Sequence, residues 1–177
     1  MTNLKENLIN VKAFAFDVDG VFTDSSVLIH PSGELLRTSN TRDGFAVHKA
    51  IELGYPVAII SGGNSPSVRE RFRGIGVTDI YLGVTDKVEA LEDFRLKYGI
   101  PLEAIMFMGD DLPDYEAMLR VGFPTCPADA VPEIIGIAHY ISGAKGGGGC
   151  VRDVIEQVLK VKGQWLVNKN FNPLPNG

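Results

Sequence analysis

The sequence predicts an α/β protein, a Rossmann-like three-layer sandwich with helices on both faces of a mainly parallel sheet. Three observations carry that expectation. Short apolar runs alternate with longer segments of helical periodicity from residue 13 to residue 162, as strand–helix–strand repeats do. The apolar runs are nearly continuous, as in strands buried on both faces. Several of them end in reactive polar residues, and open α/β sheets bind ligands at the carboxyl ends of their strands.

Strands are expected over Ala13–Val18, Val57–Ser61, Asp79–Leu82, Ile105–Met108, Phe123–Cys126 and Tyr140–Ser142. Helices are expected over Gly44–Leu53, Pro66–Gly74, Lys87–Tyr98, Pro113–Val121, Pro132–Ala138 and Val151–Lys162. Asp86, with Glu89 three positions on, reads as a capping box opening the third helix. One segment breaks the alternation. VLIHPSGELLRTSN, residues 27 to 40, reads as a projecting β-hairpin with a PSG turn. The stretch 168–177, NKNFNPLPNG, is polar and rich in Pro and Gly. A frayed tail is therefore expected after a single domain over 1–167.

Composition narrows the function classes. A length of 177 residues suits one domain with a full core. Apolar content of 45% with 22% charged residues is that of an ordinary globular protein. No stretch approaches the roughly 18 apolar residues of a membrane span, and the first residues lack the pattern of a signal peptide. A cytoplasmic location without membrane partners is expected. The net charge of −5 argues against a nucleic-acid surface, which needs clustered Lys and Arg. Cys126 and Cys150 have neither CxxC spacing nor a His cluster beside them, so reduced structural thiols are expected.

The chemistry concentrates at strand ends. FAFDVDGVFTD, residues 14 to 24, places Asp17, Asp19 and Asp24 in one short loop after an apolar strand. Crowded carboxylates repel each other, and at least one pKa rises. A turn needs one Asp, so three indicate a cation, a shared proton, or both. The second strand ends in Ser61-Gly62-Gly63, and the fourth in GDDLPD with Asp110, Asp111 and Asp114. Lys87 opens the intervening helix. An acid pair, a hydroxyl, an ammonium and a second acid cluster on one sheet edge form a kit for phosphoryl transfer. Oxygen-only ligands select a hard cation, Mg²⁺, and a carboxylate can attack phosphorus. A calcium loop is disfavoured, since the glycine comes too early and position 28 is Leu. GAKGGGGC, residues 143 to 150, lacks the GK[ST] ending of a P-loop. His30, His48 and His139 lie far apart and are not read as ligands.

DVDGVFTD, the Ser61 strand end, Lys87 and GDDLPD, in this order, resemble the four motifs of the haloacid dehalogenase superfamily of phosphatases. NTRDG at 40 to 44, the GDDLPD form and GGGGCVRD near the end are similar to the branch that dephosphorylates 3-deoxy-D-manno-octulosonate 8-phosphate (KDO 8-phosphate) in lipopolysaccharide synthesis. The resemblance implies that Asp17 is the nucleophile and Asp19 the general acid and base. It implies Mg²⁺ held by the Asp17 side chain, the Asp19 carbonyl and Asp110, with Asp111 and Asp114 in support. Ser61 and Lys87 grip the phosphate. Thr41, Asp43 and Arg71 match positions that contact the sugar acid, with Asp19, Gly44 and Lys87 also at the substrate. Arg42 and Arg152 are further carboxylate partners by their guanidinium geometry. Residues 20 to 60 and 62 to 86 leave no room for an inserted cap domain. The resemblance implies a homotetramer assembled through the hairpins, with the Gly-rich segment 143–152 reaching a neighbour's site. Many of these phosphatases carry Arg where this chain has Gly63. A related nine-carbon keto-sugar acid phosphate is the alternative substrate. A signalling receiver domain is disfavoured, because the third strand end, YLGVTDK, has no acceptor Asp in place. A non-catalytic scaffold is disfavoured because every motif residue is present.

Overall fold

The computed structural model describes residues 7–166. Its central sheet has the order β5-β4-β1-β6-β7-β8, and every pairing in it is parallel. β1 (Ala13–Phe16) lies in the middle, between β4 (Val57–Ser61) and β6 (Ile105–Met108). β5 (Asp79–Leu82) extends the sheet beyond β4; β7 (Phe123–Cys126) and β8 (Tyr140–Ile141) extend it beyond β6.

The period-two alternation of strand side chains sorts the core into two layers. Phe14, Phe16 and Ile59 pack with α1 (Thr41–Glu52), α2 (Pro66–Gly74) and α6 (Cys150–Val161). Ala13, Ala15, Ile60 and Phe107 pack with α3 (Lys87–Tyr98), α4 (Tyr115–Arg120) and α5 (Pro132–Ile137). Truncating a ring such as Phe107, wholly buried in the second layer, costs about 3–5 kcal/mol in cores of this kind. The three-layer sandwich expected from the apolar runs is the observed fold. Among the described residues, no helix is long and apolar enough to cross a membrane.

Several boundaries differ from expectation for local reasons. The first strand ends at Phe16, because the Val18 carbonyl accepts from the N–H groups of Val21, Phe22 and Thr23 and turns the chain. α1 begins at Thr41, where the Asn40 side chain accepts from the Arg42 N–H at 2.9 Å; apolar spacing alone placed the start at Gly44. The segment after Asp111 is a 3-10 turn, Leu112–Asp114, before α4 begins. Asp86 caps α3 by accepting from the Val88 N–H, but the reciprocal capping box forms between Asp111 and Asp114.

The hairpin is present but short. β2 (Leu28–Ile29) and β3 (Leu35–Leu36) pair antiparallel, closed by a turn in which the Gly33 N–H donates to the His30 carbonyl. The expected tail over 168–177 lies outside the described residues.

Candidate active site

Parallel pairing brings the carboxyl ends of β1, β4 and β6 together, and each delivers one reactive residue. Asp17 follows β1 and stays tied to β6 through its N–H, which donates to the Met108 carbonyl at 3.0 Å. Ser61 ends β4, and its Oγ accepts from the Gly63 N–H. Asp110 lies two residues beyond β6. Lys87, the first residue of α3, extends its ammonium between two carboxylates. Its Nζ is 2.8 Å from Asp17 Oδ1 and 2.6 Å from Asp114 Oδ1.

The electrostatics follow from burial. Asp17 is 8% exposed, and its pKa is pushed up to about 7, first by burial and then by the Asp114 charge, against the opposing pull of Lys87. Burial, followed by the charges of Asp17, Asp114 and Asp111, raises Asp110 to about 7. Burial disfavours the Lys87 ammonium, yet Asp17 and Asp114 outweigh it and its pKa rises. One cation therefore serves a site with more negative charge than it balances.

This donor set fits a divalent metal. Oxygens of Asp17, Asp110 and Asp114 lie within 4.8 Å of one another, and all-oxygen donors suit a hard cation such as Mg²⁺. Asp114 is already engaged: Oδ1 accepts from Lys87, and Oδ2 accepts from the Asp110 and Asp111 N–H groups. That leaves Asp17 and Asp110 as the side chains that could hold such an ion, with Asp114 organising the loop. Asp111 caps the 3-10 turn through the Leu112 N–H. Gly20 admits this arrangement, since a Cβ there would lie 1.8 Å from Asp110 Oδ2.

Asp19 meets a residue that sequence reasoning did not single out. Arg37, at the foot of the hairpin, donates from Nε to Asp19 Oδ1 at 2.6 Å and from Nη2 to Oδ2 at 2.9 Å. Thr23 Oγ1 lies 3.4 Å from the same Oδ1. Within the sequence Arg37 is one cation in a hairpin segment, and only the folded chain, which brings it to the loop after β1, reveals its partner. Asp24 is a turn residue, its Oδ1 accepting from the Ser26 N–H.

Beside Asp19 runs a groove of about 210 Å³, whose walls include Arg37, Gly44, Val68, Arg71 and Phe72. Among the described residues, no Asp or Glu lines it. Gly44 leaves room for Arg71, because a Cβ there would lie 2.6 Å from Nη2 of that arginine.

The remaining expected substrate residues are not brought to this groove. Thr41 is exposed at the start of α1 and is not among the residues that line it. Asp43 is fully buried and accepts from the Arg152 N–H at 2.7 Å, so it anchors α6. Arg42 and Arg152 line a separate open depression with Gly148, Gly149, Asp153 and Glu156, and Arg152 pairs with Glu156. The Gly-rich segment 143–152 packs closely on its own chain. A Cβ on Gly146 would lie 2.1 Å from the Gly20 carbonyl, and the Gly147 N–H donates to the Val21 carbonyl of the same chain. The glycines do permit close backbone approach, but to the chain's own acidic loop.

A family model described as haloacid dehalogenase-like hydrolase matches residues 72–153. The 3-deoxy-D-manno-octulosonate 8-phosphate phosphatase of Escherichia coli (strain K12) is 36% identical over 155 residues, which is 88% of this chain and 82% of that protein. The crystal structure of the phosphatase of that name from Yersinia pestis has a TM-score of 0.89 at 32% identity, covering 92% of this chain and 88% of that one. A Moraxella catarrhalis structure of the same name, in complex with magnesium, phosphate and KDO, also has a TM-score of 0.89, at 31% identity over 93% of this chain and 95% of that one. Identity at this level over most of both chains shows common descent as well as a common fold. The chain belongs to the 3-deoxy-D-manno-octulosonate 8-phosphate phosphatase family of haloacid dehalogenase-like hydrolases.

Proposed function

We propose that this protein is a Mg²⁺-dependent phosphatase that hydrolyses KDO 8-phosphate to KDO and phosphate, a step of lipopolysaccharide synthesis in the cytoplasm. One observation carries the reading. A buried carboxylate on a lysine, Asp17 on Lys87, directly precedes Val18, which lines a groove that holds two guanidiniums and, among the described residues, no acid. That groove suits a leaving group that is itself anionic.

Asp17 Oδ attacks phosphorus while the bond from phosphorus to the sugar oxygen breaks, and that oxygen takes a proton from Asp19. Asp19, now a carboxylate, takes a proton from water as the water oxygen attacks phosphorus and frees Asp17. Lys87 and the Ser61 hydroxyl hold phosphoryl oxygens through both steps. Asp17, the Asp19 carbonyl and Asp110 would hold Mg²⁺, whose charge would reduce the repulsion between these carboxylates and the phosphate. The Asp114–Lys87 pair keeps the ammonium in place.

The hairpin supports self-association. Leu28 and Ile29 are 68% and 73% exposed, and Val27 and Leu35 are exposed beside them. A two-stranded ribbon cannot bury these side chains alone, and a closed symmetric homotetramer would cover them. Sedimentation as an active monomer would contradict that assembly.

Phosphate release across a panel of sugar phosphates tests the substrate. The eight-carbon keto-acid ester should outpace the nine-carbon keto-acid ester and neutral sugar esters. Asp17→Asn should abolish release while leaving the fold intact. Equal rates across the panel, or turnover in Asp17→Asn near that of wild type, would overturn the reading.

A further inference from the structure

Both oxygens of Asp19 are taken by a single guanidinium in this structure. Nε of Arg37 holds Oδ1 and Nη2 holds Oδ2, while Nη1 donates to the Leu35 carbonyl at 2.9 Å. The arginine is enclosed and the carboxylate half-buried: the Arg37 side chain is 10% exposed and that of Asp19 35%. A carboxyl group that must give a proton to a departing oxygen needs one oxygen free for it. In this arrangement both oxygens already accept from Arg37, so the guanidinium competes with any departing oxygen for Asp19.

The surroundings show where Arg37 can go. Its side chain borders the crevice that contains Asp19, Ser61 and Gly63, and it also lines the groove that ends at Arg71. A Cβ on Gly63 would lie 3.5 Å from Arg37 Nη2. The absence of a side chain at 63 thus leaves this space to the guanidinium arriving from the hairpin. With no acidic residue among the described residues that line the groove, the attractive destination for Arg37 inside it is an anion carried by the substrate.

We propose that Arg37 is a specificity-determining latch: it holds the Asp19 carboxylate in the free enzyme and passes to the carboxylate of the sugar acid when substrate enters, releasing Asp19 to take a proton from solvent and pass it to the departing oxygen. A bidentate guanidinium exchanges one carboxylate for another with little loss of hydrogen bonding. The exchange is favourable only when the ligand brings its own carboxylate. A phosphate ester without one leaves the latch shut. Discrimination then acts on turnover as well as on binding. The proposal rests on the sugar-acid reading above.

Wild type, Arg37→Gln and Arg37→Lys are assayed on KDO 8-phosphate and on glucose 6-phosphate, whose alkoxide also needs a proton but which carries no carboxylate. On the sugar acid, Arg37→Gln should lower kcat/KM by about 30-fold, the equivalent of ~2 kcal/mol for a lost charge-assisted contact. On glucose 6-phosphate the same variant should raise kcat, because Asp19 is no longer held. Arg37→Lys, charged but without the fork, should fall between. A fall in kcat on both substrates would show that Arg37 only positions Asp19, and would overturn the latch. A wild-type crystal structure with KDO and phosphate bound gives a readout independent of the variants. Arg37 should be off Asp19 and on the sugar carboxylate; an intact Arg37–Asp19 pair in that complex would overturn the proposal. Failure of the substrate reading is visible separately, as a wild type that prefers glucose 6-phosphate.

Discussion

Lys87 Nζ sits 2.6 Å from Asp114 Oδ1, while Oδ2 of the same carboxylate accepts from the Asp110 N–H at 3.0 Å. Asp114 is fully buried, so one side chain fixes both the Lys87 ammonium, the proposed phosphate grip, and the loop that carries Asp110, the proposed metal ligand. Asp114→Asn keeps one acceptor but loses the charge that holds Lys87. Turnover should fall by about 10–100-fold, in the range expected when a hydrogen bond to a charged group is lost. Steady-state kinetics of phosphate release check this, with a thermal melt confirming that the variant is folded.

Metal removal should silence the enzyme. Asp17 and Asp110 are both raised to about 7 by burial and by neighbouring carboxylates, a repulsion that a divalent cation relieves. Activity should vanish in excess chelator and return with added Mg²⁺. Asp110→Asn should shift the Mg²⁺ dependence to higher concentration, measured by titrating activity against Mg²⁺. Full activity in excess chelator would contradict the proposed ligand pair.

Asp43 gives a pH-dependent stability with a definite sign. Its carboxyl is pushed up to about 6 from an ordinary 3.8, chiefly by burial, and its Oδ2 has no hydrogen-bond partner. Between these values the folded chain binds a proton that the unfolded chain has released. Asp43 therefore favours folding most below about pH 4, and that contribution is lost as pH rises through 6. Asp43→Asn retains an acceptor for the Arg152 N–H without the buried charge. It should flatten this part of the stability–pH profile and stabilise the protein at pH 8 by about 1–3 kcal/mol. Urea melts at pH 4, 6 and 8 read the difference.

Gly146→Ala should destabilise the fold. The added methyl meets the Gly20 carbonyl, 2.1 Å from an ideal Cβ, and this contact sits beneath the loop that carries Asp19. A loss of about 1–3 kcal/mol is expected for overpacking of this kind, measured by thermal or urea melts. Unchanged stability would mean that the close approach to residues 20–24 is not retained in solution.

Much of the fold was legible in the sequence. Val57–Ser61, Asp79–Leu82, Ile105–Met108 and Phe123–Cys126 appear as strands with the expected limits, because a continuous apolar run is what burial on both sheet faces selects. The meeting of Asp17, Ser61, Lys87 and Asp110 was legible for the same reason, since parallel strands put their carboxyl ends on one edge. Contacts between segments distant in the chain were not legible. Arg37 and Asp19 are 18 residues apart, and their pairing depends on how the chain after a short hairpin returns to the loop that follows β1. Asp43 and Arg152 are 109 apart; their contact turned an expected substrate ligand into the anchor of a helix. The glycine run was read correctly as a site of close backbone approach, but which backbone it approaches was settled by packing against Gly20 and Thr23. Periodicity and motif spacing encode the local conformation and the side of the sheet. Which side chains meet across a groove is set by the three-dimensional path of the loops, whose polar sequences carry no periodicity to read.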